Sequence, residues 1–181
     1  MDAGPILTQF DQLAANGDNR ARRPVVETLE LALRNLNSYQ VIKKYLKRKG
    51  NRLSFGKNNW DLSAKKNIYV VGGGKAANAM ARAIDEILAD RITAGIVAVK
   101  NLEPGDQLNR IELVAAGHPL PDENSLNVSQ RILEIVEQAT ADDLFIGIIS
   151  GGSSALMSCP LPGITLDDEI ACTHELLTCG A

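Results

Sequence analysis

Four apolar runs separated by helix-length segments constrain this chain more than anything else in it. Residues 68–71, 94–99, 111–115 and 144–149 are short and, Glu112 apart, continuously apolar, without a sustained alternation with polar residues. Such runs suit strands covered on both faces, as in a parallel sheet packed between helices. The intervening segments 75–89 and 125–139 carry apolar residues at helical spacing: Met80, Ile84, Ile87 and Leu88 in one, Leu126, Val128, Ile132, Leu133, Ile135 and Val136 in the other. Strand and helix in alternation predict an α/β fold of the Rossmann-like, doubly wound kind, with a mostly parallel sheet and helices on both faces. A further helix is expected after Thr165-Leu166-Asp167-Asp168, which has the form of a helix-starting box.

An N-terminal helical segment precedes this core. Residues 1–19 read as a loose lead-in. From Arg22 the pattern is helical, with Pro24 suited to a first helical position and Val25, Val26, Leu29, Leu33 and Leu36 at three- and four-residue steps. Asn37-Ser38 reads as a break and new cap, opening a second helix through Val41, Ile42, Tyr45 and Leu46 to about Gly50. Its lysines and arginine (Lys43, Lys44, Lys47, Arg48, Lys49) read as a solvated face. Residues 52–66 are polar with isolated apolar anchors and suggest a short β excursion. The organisation expected is therefore one α/β domain, with 20–66 as a helical and polar lead-in and 67–181 as the core.

Two strand ends run into glycines and then into a helix. The first is Val71-Gly72-Gly73-Gly74-Lys75-Ala76-Ala77 and the second Ile149-Ser150-Gly151-Gly152-Ser153-Ser154. Glycines let backbone amides close around an anion, and a helix start adds positive potential. Lys75 stands against that dipole, which makes sense where an anion neutralises both. Gly72, Gly73, Gly74, Ser150, Gly151, Gly152, Ser153 and Ser154 are thus candidate binding residues for phosphate or substrate carboxylate. A P-loop fails on spacing. A dinucleotide fingerprint fits through Gly72, Gly74 and Ala77, yet the second strand ends at Lys100-Asn101, where that fold needs an acidic residue for the ribose. Between the third strand and its helix, His118-Pro119-Leu120-Pro121-Asp122 forms a stiff loop; His118 and Asp122 read as acid–base or binding groups, with capping of the next helix as the alternative for Asp122.

The formal net charge of −3 argues against a nucleic-acid surface. Three cysteines without CxxC or paired histidines give neither a disulfide framework nor a metal signature, so no metal ligand is assigned. No apolar run approaches the length of a membrane span, and the first residues lack a secretory pattern, so a cytoplasmic location is expected.

The ordered motifs VVGGGKAANAMA, AAGHPLPDENS, ISGGSSALM, PLPGITLDDE and HELLTCGA together resemble the glycerate 2-kinase family, some members of which carry the label hydroxypyruvate reductase. The resemblance implies ATP-dependent phosphorylation of D-glycerate to 2-phosphoglycerate with Mg²⁺, and Lys75 as the active-site lysine of the GKAA motif. It also implies that this chain is the N-terminal domain of a two-domain enzyme, the C-terminal domain lying beyond it; a homodimer is compatible with this. Where the family shows SGGGSAL, Ser153 replaces the third glycine, and would strain the loop if that position needs a positive φ. The competing expectations are an NAD(P)H-dependent hydroxypyruvate reductase and a catalytically silent ligand-binding fragment.

Overall fold

The computed structural model describes residues 6–180; the first residues of the expected lead-in, on which the expectation of no secretory pattern also falls, lie outside them. A parallel four-stranded sheet forms the centre: β4 (Ile68–Gly73), β5 (Ala94–Val99), β6 (Ile111–Ala115) and β7 (Leu144–Ile149). Their spatial order is β6-β5-β4-β7, and every pairing is parallel. The chain therefore builds outward from β4 through β5 to β6, then crosses back to lay β7 on the other side of β4. Between β4 and β7 the winding reverses, and in such sheets the crevice beyond the strand C-termini at that point is where ligands bind. Both glycine turns lie there.

Helices cover both faces, as the apolar runs require. The helix α4 (Ala77–Leu88) buries Ala77, Ala81, Ile84 and Leu88 against Val70, Val97, Val99 and Ile148. On the opposite face, α5 (Glu123–Glu137) and the single turn α6 (Ser153–Leu156) bring Val128 and Leu156 onto Ile96 and Ala98. Thr165 opens α7 (Leu166–Thr178) with the expected box, its hydroxyl accepting from the Asp168 amide. The helix α7 buries no residue among those described, and besides the Thr165 cap a hydrogen bond from Ser158 to Glu169 ties its first turn to the preceding loop.

Three features of the lead-in differ from expectation. A short helix α1 (Phe10–Ala15) replaces part of the loose segment. It is held from a distance: the Glu30 carboxylate accepts the amides of Ile6 and Leu7 at 2.7 and 2.9 Å and also binds Arg34. Next, α2 (Asn19–Asn35) starts three residues before Arg22, because Asp18 caps the Arg20 amide at 3.0 Å. Pro24 then falls inside the helix, where the Arg20 carbonyl it leaves without a donor belongs to an exposed residue and is open to water.

The third difference is larger. The helix α3 (Ser38–Tyr45) stops at Tyr45, and the chain becomes an antiparallel meander in which β1 (Leu46–Lys49) replaces the expected end of the helix, while β2 (Arg52–Phe55) and β3 (Asn58–Asp61) fall within the expected β excursion. Two-residue turns at Gly50-Asn51 and Gly56-Lys57 join the strands, with φ of 59° and 58° at the glycines, the backbone that tight hairpins require. Leu46 and Leu53 enter the main core with Ile84 and Ile148. Lys47, Arg48 and Lys49 accordingly lie on a strand and not on a helix face.

The long β5–β6 connection is fastened to α4. Asp85, 2% exposed, accepts the Asn109 amide, the Asn109 side chain and the Arg110 amide, each at 3.0 Å. Two turns earlier, Asn78 donates to the Asn101 carbonyl at 3.0 Å, while Asp106 takes Asn78, Arg82 and the Glu103 amide.

Candidate functional site

The two glycine turns are one interlocked unit. The Gly74 amide donates to Ala98 O at 3.1 Å, the Lys75 amide to Gly151 O at 2.9 Å, the Ala76 amide to Ser150 Oγ at 3.1 Å and the Ala77 amide to Gly74 O at 3.1 Å. Ser150 in turn donates its amide to Gly73 O. The amides expected to cradle an anion after β4 are therefore already taken by protein acceptors, and the Ser150 hydroxyl accepts one of them. Gly72 and Gly74 have a packing reason instead. Each holds a positive φ (140° and 144°), and an added Cβ would lie 1.9 Å from Ile148 O or 2.0 Å from Ser150 Oγ. These glycines allow β4 and the β7 turn to approach closely.

The second turn is built differently. Among the described residues, the amides of Gly151 and Gly152 find no protein acceptor. Gly152 lies in the left-handed region (φ 89°) and is the cap before α6. Ser153, the next residue, has no positive φ; it is the first residue of α6, so the serine there is unstrained. Ser153 and Ser154 follow Gly152 on the same turn, the former half-buried and the latter exposed.

Lys75 and His118 meet over Gly152. A Cβ on Gly152 would stand 2.7 Å from His118 Cδ2 and Nε2 and 3.3 Å from Lys75 Cγ; one on Gly151 would be 3.9 Å from Lys75 Cε. The lysine stem thus lies along the second turn, with the imidazole edge against the same backbone. His118 reaches this position from the loop after β6, across a cis His118–Pro119 peptide. Its Nδ1 is buried without a hydrogen-bond partner. Burial first, then the charges of Lys75 and Lys100, hold the imidazole below its ordinary pKa, so it is neutral at pH 7. Lys75 is exposed and forms no ion pair among the described residues.

Asp122 has a different occupation. Its carboxylate caps α5, accepting the Ser125 amide at 2.9 Å within a reciprocal capping box. Burial would push that carboxyl up, but hydrogen bonds led by the Ser125 and Gly117 amides outweigh it and hold the pKa below the usual value. Asp122 therefore positions the His118 loop, and its acceptor capacity is largely used. The structure brings Lys75, Gly151, Gly152 and His118 together, sets Ser153 and Ser154 beside them, and gives Gly72, Gly73, Gly74, Ser150 and Asp122 scaffold contacts. Lys100 was visible in the sequence only as a missing acid; its position at the end of β5 brings it to the same corner.

Among the described residues no cluster of three His, Cys, Asp or Glu side chains could hold a metal ion, and no helix is long and apolar enough to cross a membrane. Cys159, Cys172 and Cys179 are free and exposed.

Residues 25–181 match the model of a family described as a domain of unknown function, DUF4147. The chain belongs to this family. A "Glycerate 2-kinase" of Pyrococcus horikoshii is 42% identical over 121 residues, which is 67% of this chain and 27% of that protein. The crystal structure of a protein from P. horikoshii OT3 superposes with a TM-score of 0.75 at 32% identity, covering 89% of this chain and 36% of that one. A Thermotoga maritima glycerate kinase structure gives a TM-score of 0.64 at 30% identity, over 86% of this chain and 34% of its own. Other relatives, from Agrobacterium vitis, are named putative hydroxypyruvate reductase. The resemblance to the glycerate 2-kinase family read from the motifs is thus borne out, as is the doubly wound fold. The chain spans about a quarter of the length of the curated relatives it matches.

Proposed function

We propose that this DUF4147 chain supplies the Lys75 wall of a glycerate 2-kinase site, in which ATP phosphorylates D-glycerate to 2-phosphoglycerate and a further domain closes the cleft. The observation that carries the reading is the meeting of Lys75 and neutral His118 over the free Gly151-Gly152 backbone, at the point where the sheet reverses. Phosphoryl transfer demands mainly positioning and neutralisation of charge on the phosphoryl oxygens. Lys75 supplies the charge, and the Gly151 and Gly152 amides, having no protein acceptor, supply donors. A neutral imidazole beside them can hydrogen-bond a substrate hydroxyl or oxyanion without adding charge. The described residues form no carboxylate set for Mg²⁺, so in this reading its ligands lie on nucleotide phosphates or beyond those residues.

The reductase reading is less well supported. A dinucleotide pyrophosphate would need the amides at the start of α4, and those are engaged by Gly151 O, Ser150 Oγ and Gly74 O. The end of β5 also carries Lys100 in place of a ribose-binding acid.

The complete protein is assayed with D-glycerate, ATP and Mg²⁺, and in parallel with hydroxypyruvate and NADH. ADP and phosphoglycerate in the first mixture alone are expected. Oxidation of NADH alone would replace the kinase by the reductase. Lys75→Ala should lower turnover by about 10²–10³ with an unchanged melting curve, because the lysine is exposed. Turnover near wild type in the folded variant would remove Lys75 from the chemistry.

A further inference from the structure

The corner occupied by Lys75 and His118 contains a second lysine that the motif does not single out. Lys100 directly follows β5, and the backbone on either side of it is fixed. Val99 O accepts the Ala116 amide at 2.9 Å, two residues before His118. Asn101 O accepts the Asn78 side chain at 3.0 Å, from the first turn of α4. Lys100 is thereby pinned between the helix that begins beside Lys75 and the loop that carries His118. The Gly74 amide, bound to Ala98 O, fastens the Lys75 turn to the same strand end.

Neither lysine has a carboxylate among the described residues. Of the acids nearby in sequence, Asp106 is committed to Arg82, Asn78 and the Glu103 amide and Asp122 to the α5 cap, while the Glu103 carboxylate pairs with neither lysine among the described residues. The backbone contacts above thus bring two ammonium groups to a half-buried imidazole whose Nδ1 has no partner, an arrangement that an entering anion relieves. Both charges, after burial, lower the pKa of His118.

We propose that Lys100 is a second cationic ligand of this site and that Lys75 and Lys100 together select a doubly charged phosphoryl group over a single carboxylate. A carboxylate brings one charge and satisfies one lysine. A phosphoryl group brings about two charges and three acceptor oxygens, enough for both lysines and for the free amides of the second turn. The proposal rests on the reading of Lys75 as an anion-binding residue. It extends that reading to an additional residue and to a preference between the two anionic ends of a phosphorylated hydroxy acid, or for the phosphates of a nucleotide.

The test is isothermal titration of the chain with inorganic phosphate, 2-phosphoglycerate, ATP and D-glycerate, using wild type, Lys100→Met, Lys100→Arg, Lys75→Met and the remote turn variant Lys57→Met. Melting curves confirm folding of each. Lys100→Met is expected to weaken every phosphate-bearing ligand about tenfold while changing D-glycerate by less than about twofold, and Lys100→Arg to retain affinity within about threefold. Lys57→Met should match wild type. Weakening of ATP alone would assign the site to the nucleotide, and weakening of 2-phosphoglycerate alone to the phosphorylated acid; either supports the role of Lys100. Wild-type affinity for phosphate ligands in Lys100→Met, with loss in Lys75→Met, overturns the role of Lys100 and leaves the kinase reading intact. Unchanged affinity in both variants overturns both. A wild-type chain that binds none of the phosphate ligands overturns the proposal as well, and so does equal weakening of D-glycerate and phosphate.

Discussion

Gly152→Ala isolates the contact on which the site depends. The backbone there has φ 89°, and moving a non-glycine residue into that region costs about 1–2 kcal/mol. The new Cβ would also stand 2.7 Å from two atoms of the His118 ring and 3.3 Å from Lys75 Cγ. The lysine stem is exposed and can yield, but the ring has its Nδ1 buried and cannot simply swing away. Overpacking of this kind adds about 1–3 kcal/mol. The total is about 2–5 kcal/mol, or a fall in Tm of about 4–20 °C for a chain of this size.

Gly151→Ala is the internal comparison. Its added Cβ meets only Lys75 Cε at 3.9 Å, with no positive φ, and it should change stability by less than about 0.5 kcal/mol. Thermal unfolding followed by circular dichroism, together with phosphate titration, reads both effects. Gly152→Ala should lose at least about tenfold in affinity through displacement of Lys75 and His118, and His118→Ala should recover part of the stability, giving a coupling of about 0.5–3 kcal/mol. A Gly152→Ala protein as stable as Gly151→Ala, with additive behaviour in the double variant, would refute the packing of His118 on Gly152.

Other consequences follow from the same contacts. Asp122→Ala should cost about 0.5–2 kcal/mol in urea unfolding, whereas Asp122→Ser, which can still cap α5, should restore stability and ligand affinity together; restoration of stability without affinity would return Asp122 to the binding groups. Asp85→Ala strands the Asn109 and Arg110 amides at a position 2% exposed, and should lower unfolding free energy by about 2–4 kcal/mol; a smaller loss would mean that the β5–β6 loop is not held from α4. His118 is held neutral in the folded state, so as pH falls below about 6.5 the unfolded chain protonates first. Stability should therefore decline until the folded imidazole also protonates, and level off below. Proton NMR should place the His118 midpoint below 6.5 and move it up in Lys75→Met or Lys100→Met; a midpoint indifferent to both lysines would separate them from the ring.

How much could be read in advance depended on whether a feature was local. The strands of the sheet announced themselves because residues such as Val70, Val97 and Ile148 are buried on whichever face they point to, leaving no alternation to confuse with a surface strand. Asp122 and Thr165 announced their helices because capping is a matter of three residues. The β excursion over 52–66 is legible, but its first strand, β1, is not, because Val41, Ile42, Tyr45 and Leu46 fit a helix as well as a helix followed by a strand. What decides it is the burial of Leu46 and Leu53 against Ile84 and Ile148, which is invisible along the chain. The helix α1 escaped because a carboxylate more than twenty residues away fixes its start. The site divides in the same way. That Lys75 stands at a strand–helix turn is local; that the amides around it are taken by the second turn is not.

That exchange between the two turns changes what kind of anion site this is. Had the amides after Gly74 been free, the backbone and the α4 dipole would have carried the binding, as in a dinucleotide fold, and the lysine would have been an addition. Here the Lys75 and Ala76 amides tie down Gly151 and Ser150, so the first loop serves to place the second, and Lys75 is laid along it. Charge neutralisation therefore falls chiefly on exposed ammonium groups. Such groups are screened by salt and interact strongly only when water is excluded from around them. A wall of this composition binds weakly while it faces water and strongly once covered. On the proposed reading, this is a physical reason for a phosphoryl-transfer site to be shared with a second closing element, and for the lysines to await an anion without a protein carboxylate to hold them.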